Sequence, residues 1–106
     1  MASGILGQSN ITTQSTWTSV YTVPSGKVAT LNIGIVNLGT TSAVFRVAIA
    51  TSTSPSDAQL IEYNASLAPS DVFERGGLVL DAGKKVVVYA TTSSPNFSVI
   101  VTGYEE

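Results

Sequence analysis

The strict alternation of apolar and polar residues in short segments is the strongest constraint on the fold. In residues 28–36, every second residue from Ala29 to Ile35 is apolar, and the residues between them are Thr, Asn and Gly. A period of two places these two sets on opposite faces of a β-strand. Strand-favouring β-branched residues are abundant, with 13 Val, 7 Ile and 13 Thr among 106 residues. The sequence therefore predicts an all-β protein.

Further segments with strand character are separated by turn-forming residues at intervals of about 8–12 residues. Gly76-Gly77 lies inside one of them and predicts a β-bulge or a break. The spacing predicts an antiparallel β-sandwich of about eight strands, of jelly-roll type. The additional strand segments are 17–23, 44–50, 60–63, 72–80, 86–91 and 97–103.

The chain length indicates one domain, which we place at residues 14–106. Residues 1–13 differ in composition, because they carry no charged side chain and combine glycines and small polar residues with Ile5, Leu6 and Ile11. One interpretation is a frayed, flexible terminus. The other is an assembly arm whose apolar side chains contact a neighbouring subunit.

The residue types that are missing exclude several classes of site. The chain has no Cys and no His, which excludes disulfides, thiolate nucleophiles, Ser-His-Asp triads and zinc sites of the usual nitrogen and sulfur type. Five dispersed basic residues and a net charge of -2 argue against a nucleic-acid partner. The sequence has no apolar run of membrane-spanning length and no signal-peptide pattern at its start. We therefore expect a protein without enzymatic activity or cofactor, without a membrane partner, and assembled in a cytoplasm.

The charged residues form no recognisable catalytic or metal-binding pattern. Glu74 and Arg75 are adjacent in a predicted strand, so they lie on opposite faces and do not form a prearranged acid–base pair. They are expected to lie on a solvated rim or to form a salt bridge with a neighbouring subunit. Three acidic residues could contribute calcium ligands but lack the spacing of a ligand loop: Asp57, Glu62 and Asp81.

The aromatic residues leave two interpretations open. They could form a platform on which sugar rings stack, or they could be the ordinary aromatic complement of a core. The residues concerned are Trp17, Tyr21, Tyr63, Tyr89 and Tyr104.

The predicted surface is unusually neutral. Charged residues make up 11% of the chain, and the polar surface is supplied by 14 Ser and 13 Thr instead. Isolated sandwiches commonly protect their strand edges with charge. A neutral surface on so small a domain suits contact with further copies of itself or with a lattice.

Several strand and turn motifs resemble a known group of proteins. A "VPSGK" turn opens a "T-x-N-I-x-I-V-N" strand, and a strand ending in "A-I-A" follows. An "IEY" strand then precedes an "L-x-P-x-D-x-x-E-R" connection, and the chain closes on "V-x-G-x-E". Over residues 15–106 this pattern resembles small virion structural proteins of tailed bacteriophages, including phages that infect cyanobacteria.

The resemblance implies a β-sandwich that forms homo-oligomers, often trimers, on a capsid or in tail and fibre structures, and it implies no catalytic residue. The expected function is that of a capsid decoration (cement) protein in the virion, a homotrimer that binds the major capsid protein or other virion proteins. The alternative is a tail-fibre or baseplate module that binds host-surface glycan. The matching positions are interpreted as scaffold: Pro24, Gly26, Asn32, Asn37, Glu62, Tyr63, Glu74, Arg75 and Gly103. The expected assembly contacts are Ile5, Leu6, Ile11, Glu74 and Arg75.

Overall fold

The computed structural model describes residues 3–106 and contains eight β-strands and one turn of 3₁₀ helix, Asp57–Gln59. No helix in this part of the chain is long and apolar enough to cross a membrane. The strands are β1 (Ser3–Ile11), β2 (Trp17–Thr22), β3 (Val28–Asn37), β4 (Ala43–Ala50), β5 (Leu60–Leu67), β6 (Val72–Asp81), β7 (Lys85–Ala90) and β8 (Phe97–Glu105).

The strands form two four-stranded antiparallel sheets. Sheet A has the order β1-β8-β3-β6, and sheet B has the order β2-β7-β4-β5. The first strand pairs with the last, the second with the seventh, the third with the sixth and the fourth with the fifth. This nested order is that of a jelly roll, so the predicted all-β sandwich of eight strands is confirmed.

The core lies between the two sheets and is formed by the alternating residues that the sequence placed on one face. The predicted inward set of β3, from Ala29 to Ile35, is at most 1% exposed. Phe45 of β4 packs edge-to-face against Phe73 and Phe97, with ring centroids 5.1 and 5.7 Å apart. Burial of these apolar side chains is the main stabilising contribution to the fold.

The bulge expected at Gly76-Gly77 is present in β6. Leu31 pairs with Leu78 and Ile33 pairs with Arg75, so Asn32 alone faces two glycines. Gly77 has φ +73°, a left-handed conformation that glycine adopts without steric cost. The Asn32 Oδ1 accepts a hydrogen bond from the Gly77 amide at 3.2 Å. This motif residue therefore stabilises the irregular point of the strand.

The amino-terminal segment differs from the expected arm. Residues 3–11 form strand β1, which pairs with β8 along its whole length, and Ile11 is 1% exposed in the core. Leu6 also packs against the core. A register shift between Ile5 and Gly7 interrupts the alternation, which is why the sequence did not reveal this strand. The sandwich therefore begins well before residue 14, and residues 1–2 lie outside the described part.

A second departure concerns the outer face of sheet B. The register of β4 places Ala48 on the outer face, yet this residue is fully buried. With Ala50 and Val87 it forms a small second apolar cluster beneath the side chains of Trp17 and Leu60. The outer face of sheet B is therefore partly covered by its own side chains.

Candidate functional site

The outer face of sheet A carries a set of exposed apolar side chains, which we call the sheet A surface. Strand pairing places all of them on the side away from the core, and Val79 and Tyr104 share one row, on either side of Thr30. Each is at least 40% exposed: Ile5, Val28, Val72, Val79 and Tyr104. The outward-facing strand residues of this surface include two carboxylates, Glu74 and Asp81, and no cation within residues 3–106.

A shallow groove runs across the middle of the sheet A surface. Its volume is about 350 Å³, and Asn32, Gly34, Glu74 and Ile100 are among the residues that line it. The groove exists because Gly34 and the bulged glycines of β6 have no side chains to fill it. Glu74 supplies a carboxylate within the groove, but no second carboxylate or base joins it to form a catalytic pair among the described lining residues.

The outer face of sheet B carries a different feature, which we call the aromatic–arginine row: Trp17, Tyr89, Arg46 and Tyr63. Trp17 is opposite Tyr89 in the β2–β7 pairing, and Tyr89 is opposite Arg46 in the β7–β4 pairing. The Trp17 and Tyr89 rings have centroids 5.0 Å apart. The Arg46 guanidinium carbon lies 5.1 Å from the Tyr89 centroid and 4.5 Å from the Tyr63 centroid. The row therefore crosses all four strands of the sheet.

An irregularity in β5 completes the row. Phe45 pairs with Ala65 and Val47 pairs with Glu62, so Arg46 faces two residues, Tyr63 and Asn64. Asn64 adopts φ +52°, a left-handed conformation that asparagine tolerates better than most residues. As a result, the Tyr63 ring contacts the guanidinium from one side, and Asn64 Oδ1 accepts a hydrogen bond from Arg46 Nε at 2.8 Å.

Sequence reasoning identified the aromatic residues of the row but not Arg46. The predicted strand ended at Tyr63, so the bulge that turns Tyr63 and Asn64 towards the arginine was missed. The asparagine after Tyr63 was the available signal, since asparagine is enriched at left-handed positions. Of the five aromatic residues considered as a platform, Trp17, Tyr63 and Tyr89 lie together. Tyr21 points into the core and Tyr104 lies on sheet A.

The expected assembly contacts do not form one site. Ile5 and Glu74 both lie on the sheet A surface, on the two edge strands. Leu6 and Ile11 point towards the core instead, because β1 is part of the sandwich. Whether any of these residues contacts another subunit stays a prediction.

Arg75 has an interaction within the chain. It lies opposite the inward-facing Ile33, so its side chain points away from Glu74 and crosses the open side of the sandwich to β5. Its Nη1 donates hydrogen bonds to the Ile61 carbonyl at 3.1 Å and to the Glu62 carboxylate at 3.4 Å. The pair is partly solvated, with 41% and 28% of the two side chains exposed. It joins the edge strands of the two sheets.

The motif residue Asn37 has a clear structural role. It is 1% exposed, and its Nδ2 donates hydrogen bonds to the Thr41 and Leu67 carbonyls, both at 2.9 Å. Its Oδ1 accepts from the Gly39 amide, also at 2.9 Å. One buried amide therefore fixes the β3–β4 turn against the end of β5.

The closing "V-x-G-x-E" motif is structural as well. A Cβ on Gly103 would overlap the Thr30 carbonyl of the neighbouring strand, and its φ of +149° also disfavours other residues. Glu105 is 9% exposed, and its carboxylate accepts a hydrogen bond of 2.6 Å from the Tyr21 hydroxyl. Burial, together with this hydrogen bond and the negative charge of Glu105, raises the pKa of Tyr21 well above its ordinary value.

The candidate calcium ligands are separated in the structure. Glu62 is paired with Arg75, and Asp81 lies 3.2 Å from the Lys84 ammonium. The hydrogen bond from Lys84 holds the pKa of Asp81 below its ordinary value. Asp57 lies in the 3₁₀ turn. Within residues 3–106 no three acidic side chains converge on a point where a metal ion could bind.

Comparison with protein-family models finds no match, and no curated protein matches the chain. The resemblance to phage virion proteins therefore stays a prediction that rests on the motifs alone. The sheet A surface and the aromatic–arginine row are the two features from which a function can be argued.

Proposed function

We propose that the protein is a non-enzymatic virion structural protein of a tailed phage, a capsid decoration protein that acts as a homotrimer on the outer shell. The observation that carries this proposal is the sheet A surface. Its exposed valines, isoleucine and tyrosine lie among neutral residues, with few charges to desolvate when a partner covers them. Burying a fully exposed valine side chain stabilises a contact by about 1.5–3 kcal/mol, and each valine here, at 45–68% exposed, would contribute roughly half to two thirds of that.

The mechanism would be mechanical. Packaged DNA pushes the capsid subunits apart, and a rigid sandwich that bridges several subunits adds buried area across their seams. The jelly-roll architecture agrees with this role, because viral capsid proteins use it too. That agreement is an analogy at the level of fold, since the same architecture also serves lectins and cupins.

Substitution of the most exposed residue of the apolar set tests the assembly step. Val79 is 68% exposed, so Val79→Arg can be tolerated by the fold while it places a charge in the proposed contact. We expect light scattering to give the wild-type chain a mass near three times 11.0 kDa, and the variant a mass near 11.0 kDa. The matched control is Leu38→Arg, because Leu38 is 54% exposed in a loop outside this surface.

Capsid binding tests the virion role directly. The wild-type chain should cosediment with shells of the major capsid protein from the same phage, and Val79→Arg should not. If neither chain binds shells and both are monomers at every concentration, the decoration role is wrong.

A second candidate function is supported by the aromatic–arginine row, which brings three of the considered aromatic residues onto one accessible face. In this proposal the chain is a tail-fibre or baseplate module that binds host-surface glycan. Tyr63 is 61% exposed and can be removed with little effect on folding. A glycan array probed with the wild-type chain and with Tyr63→Ala tests the proposal, and binding that is lost in the variant is the expected result.

A further inference from the structure

We propose that the aromatic–arginine row binds an acidic carbohydrate, with Arg46 holding a sugar carboxylate and the neighbouring rings stacking on the sugar faces. The inference rests on the second proposed function, glycan binding. It goes further because it names the chemical class of the ligand and the residue that selects it.

The charge of Arg46 favours an anionic ligand. The guanidinium is half-buried between two tyrosine rings. It makes no ion pair within residues 3–106, since the two ion pairs there are formed by Arg75 and Lys84. A partly desolvated cation without a counter-ion is unfavourable, and an anionic ligand would remove that cost. A second cation on this face is Lys85. The carboxylate of β5, Glu62, is paired with the inward-facing Val47 and forms its ion pair with Arg75, so no strand carboxylate within residues 3–106 lies on this face.

The hydrogen-bond donors of Arg46 are arranged to suit a carboxylate. Arg46 uses Nε for the hydrogen bond to Asn64, and its two Nη groups make no hydrogen bond within residues 3–106. The Asn64 contact and the flanking rings of Tyr63 and Tyr89 hold the guanidinium in place. A fixed guanidinium with free Nη groups suits a carboxylate, which accepts two parallel N–H bonds from such a group.

The aromatic rings on both sides of Arg46 suit a sugar chain. The row places Trp17 and Tyr89 on one side of Arg46 and the exposed Tyr63 on the other. It crosses three inter-strand spacings, which is about 14 Å. One face of a pyranose ring consists largely of C–H groups, which pack on an aromatic face while the hydroxyl groups remain solvated. A chain of a few sugars with a carboxylate near its middle therefore fits the row.

The experiment compares sugars that differ only in charge. Isothermal titration calorimetry would measure binding of a panel of uronic-acid oligosaccharides and of the same oligosaccharides as methyl esters, with polyglutamate as a polyanion without sugar rings. The proteins are the wild-type chain, Arg46→Gln, Arg46→Lys and Tyr63→Ala. The control is Leu38→Ala, which removes an apolar side chain that is 54% exposed in the loop between β3 and β4, outside both the row and the sheet A surface. Thermal melting establishes that each variant is folded.

We expect the wild-type chain and Leu38→Ala to bind at least one free acid about tenfold or more tightly than its ester. Arg46→Gln should lose this preference, and Arg46→Lys should keep only part of it because lysine lacks the planar fork. Tyr63→Ala should weaken binding of acid and ester alike. The preference for the acid should decrease as salt is added.

The other outcomes separate the two proposals. If acids and esters bind equally and Arg46→Gln changes nothing, the row binds neutral glycan, so this inference is wrong and the second proposed function stands. If polyglutamate binds as well as the acids and Tyr63→Ala has no effect, the site recognises charge alone and both are wrong. If no oligosaccharide of the panel binds, this inference is wrong, and the glycan array decides the second proposed function.

Discussion

The hydrogen bond between Tyr21 and Glu105 joins β2 of sheet B to β8 of sheet A inside the sandwich. Both residues are at most 9% exposed, and no other side chain within residues 3–106 donates a hydrogen bond to the Glu105 carboxylate. Tyr21→Phe keeps the ring and removes only the hydroxyl. A hydrogen bond to a charged group contributes about 1.5–3 kcal/mol. We expect Tyr21→Phe to lower the free energy of unfolding by an amount near the upper end of this range, because the variant leaves a buried carboxylate without its hydrogen-bond donor.

The same pair predicts how stability depends on pH. The pKa of Tyr21 is raised in the folded state above its ordinary value of 10.0. The folded protein therefore keeps this proton at a pH where the unfolded chain has lost it. The stabilisation is fully present below pH 10 and decreases as the pH rises above it, by up to about 1.4 kcal/mol per pH unit. Tyr21→Phe should lack this part of the alkaline decrease.

Urea denaturation measures both effects, with the fluorescence of the single tryptophan, Trp17, as the probe. The free energy of unfolding would be compared for the wild-type chain and Tyr21→Phe near neutral pH and at several values above pH 10. Tyr104→Phe is the control, because that ring is 40% exposed and lies on the outer face. The reasoning is refuted if Tyr21→Phe lies within about 0.5 kcal/mol of wild type and loses stability in alkali at the same rate.

Two further substitutions test the structural interpretation of the motif residues. Gly103→Ala should lower the free energy of unfolding by about 3 kcal/mol or more, because the added Cβ would overlap the Thr30 carbonyl. Gly34→Ala is the matched control and should leave the free energy of unfolding nearly unchanged, since the added Cβ would contact only the Ile100 carbonyl oxygen, at 4.0 Å. Asn37→Ala removes three hydrogen bonds of a buried side chain, one of them fully buried and two partly buried, and should lower the free energy of unfolding by about 3 kcal/mol. The urea midpoint should fall without a change in slope, and an unchanged midpoint would contradict the proposed role of the asparagine.

Much of the fold could be predicted from the sequence because each signal was local. The alternation in β3 fixed which face of the strand is buried, and the turn residues fixed how many strands the chain can form. The pair Gly76-Gly77 marked the bulge, since glycine is the residue that such a position requires. Strand β1 escaped prediction because the register shift near Gly7 disrupts the same alternation.

The candidate sites depended on which strands become neighbours, and sequence alternation does not encode this. Trp17, Arg46, Tyr63 and Tyr89 are spread over most of the chain, and only the order β2-β7-β4-β5 aligns them into one row. Likewise, the alternation correctly predicted that Glu74 and Arg75 lie on opposite faces of β6. It could not predict that Arg75 pairs with Glu62 of β5, because that contact forms only when one sheet packs on the other. The sequence by itself therefore determined the fold class and the faces of most strands, because a period of two is a property of each strand alone. The tertiary structure decided which side chains meet, because contacts between strands arise only when the whole sandwich closes.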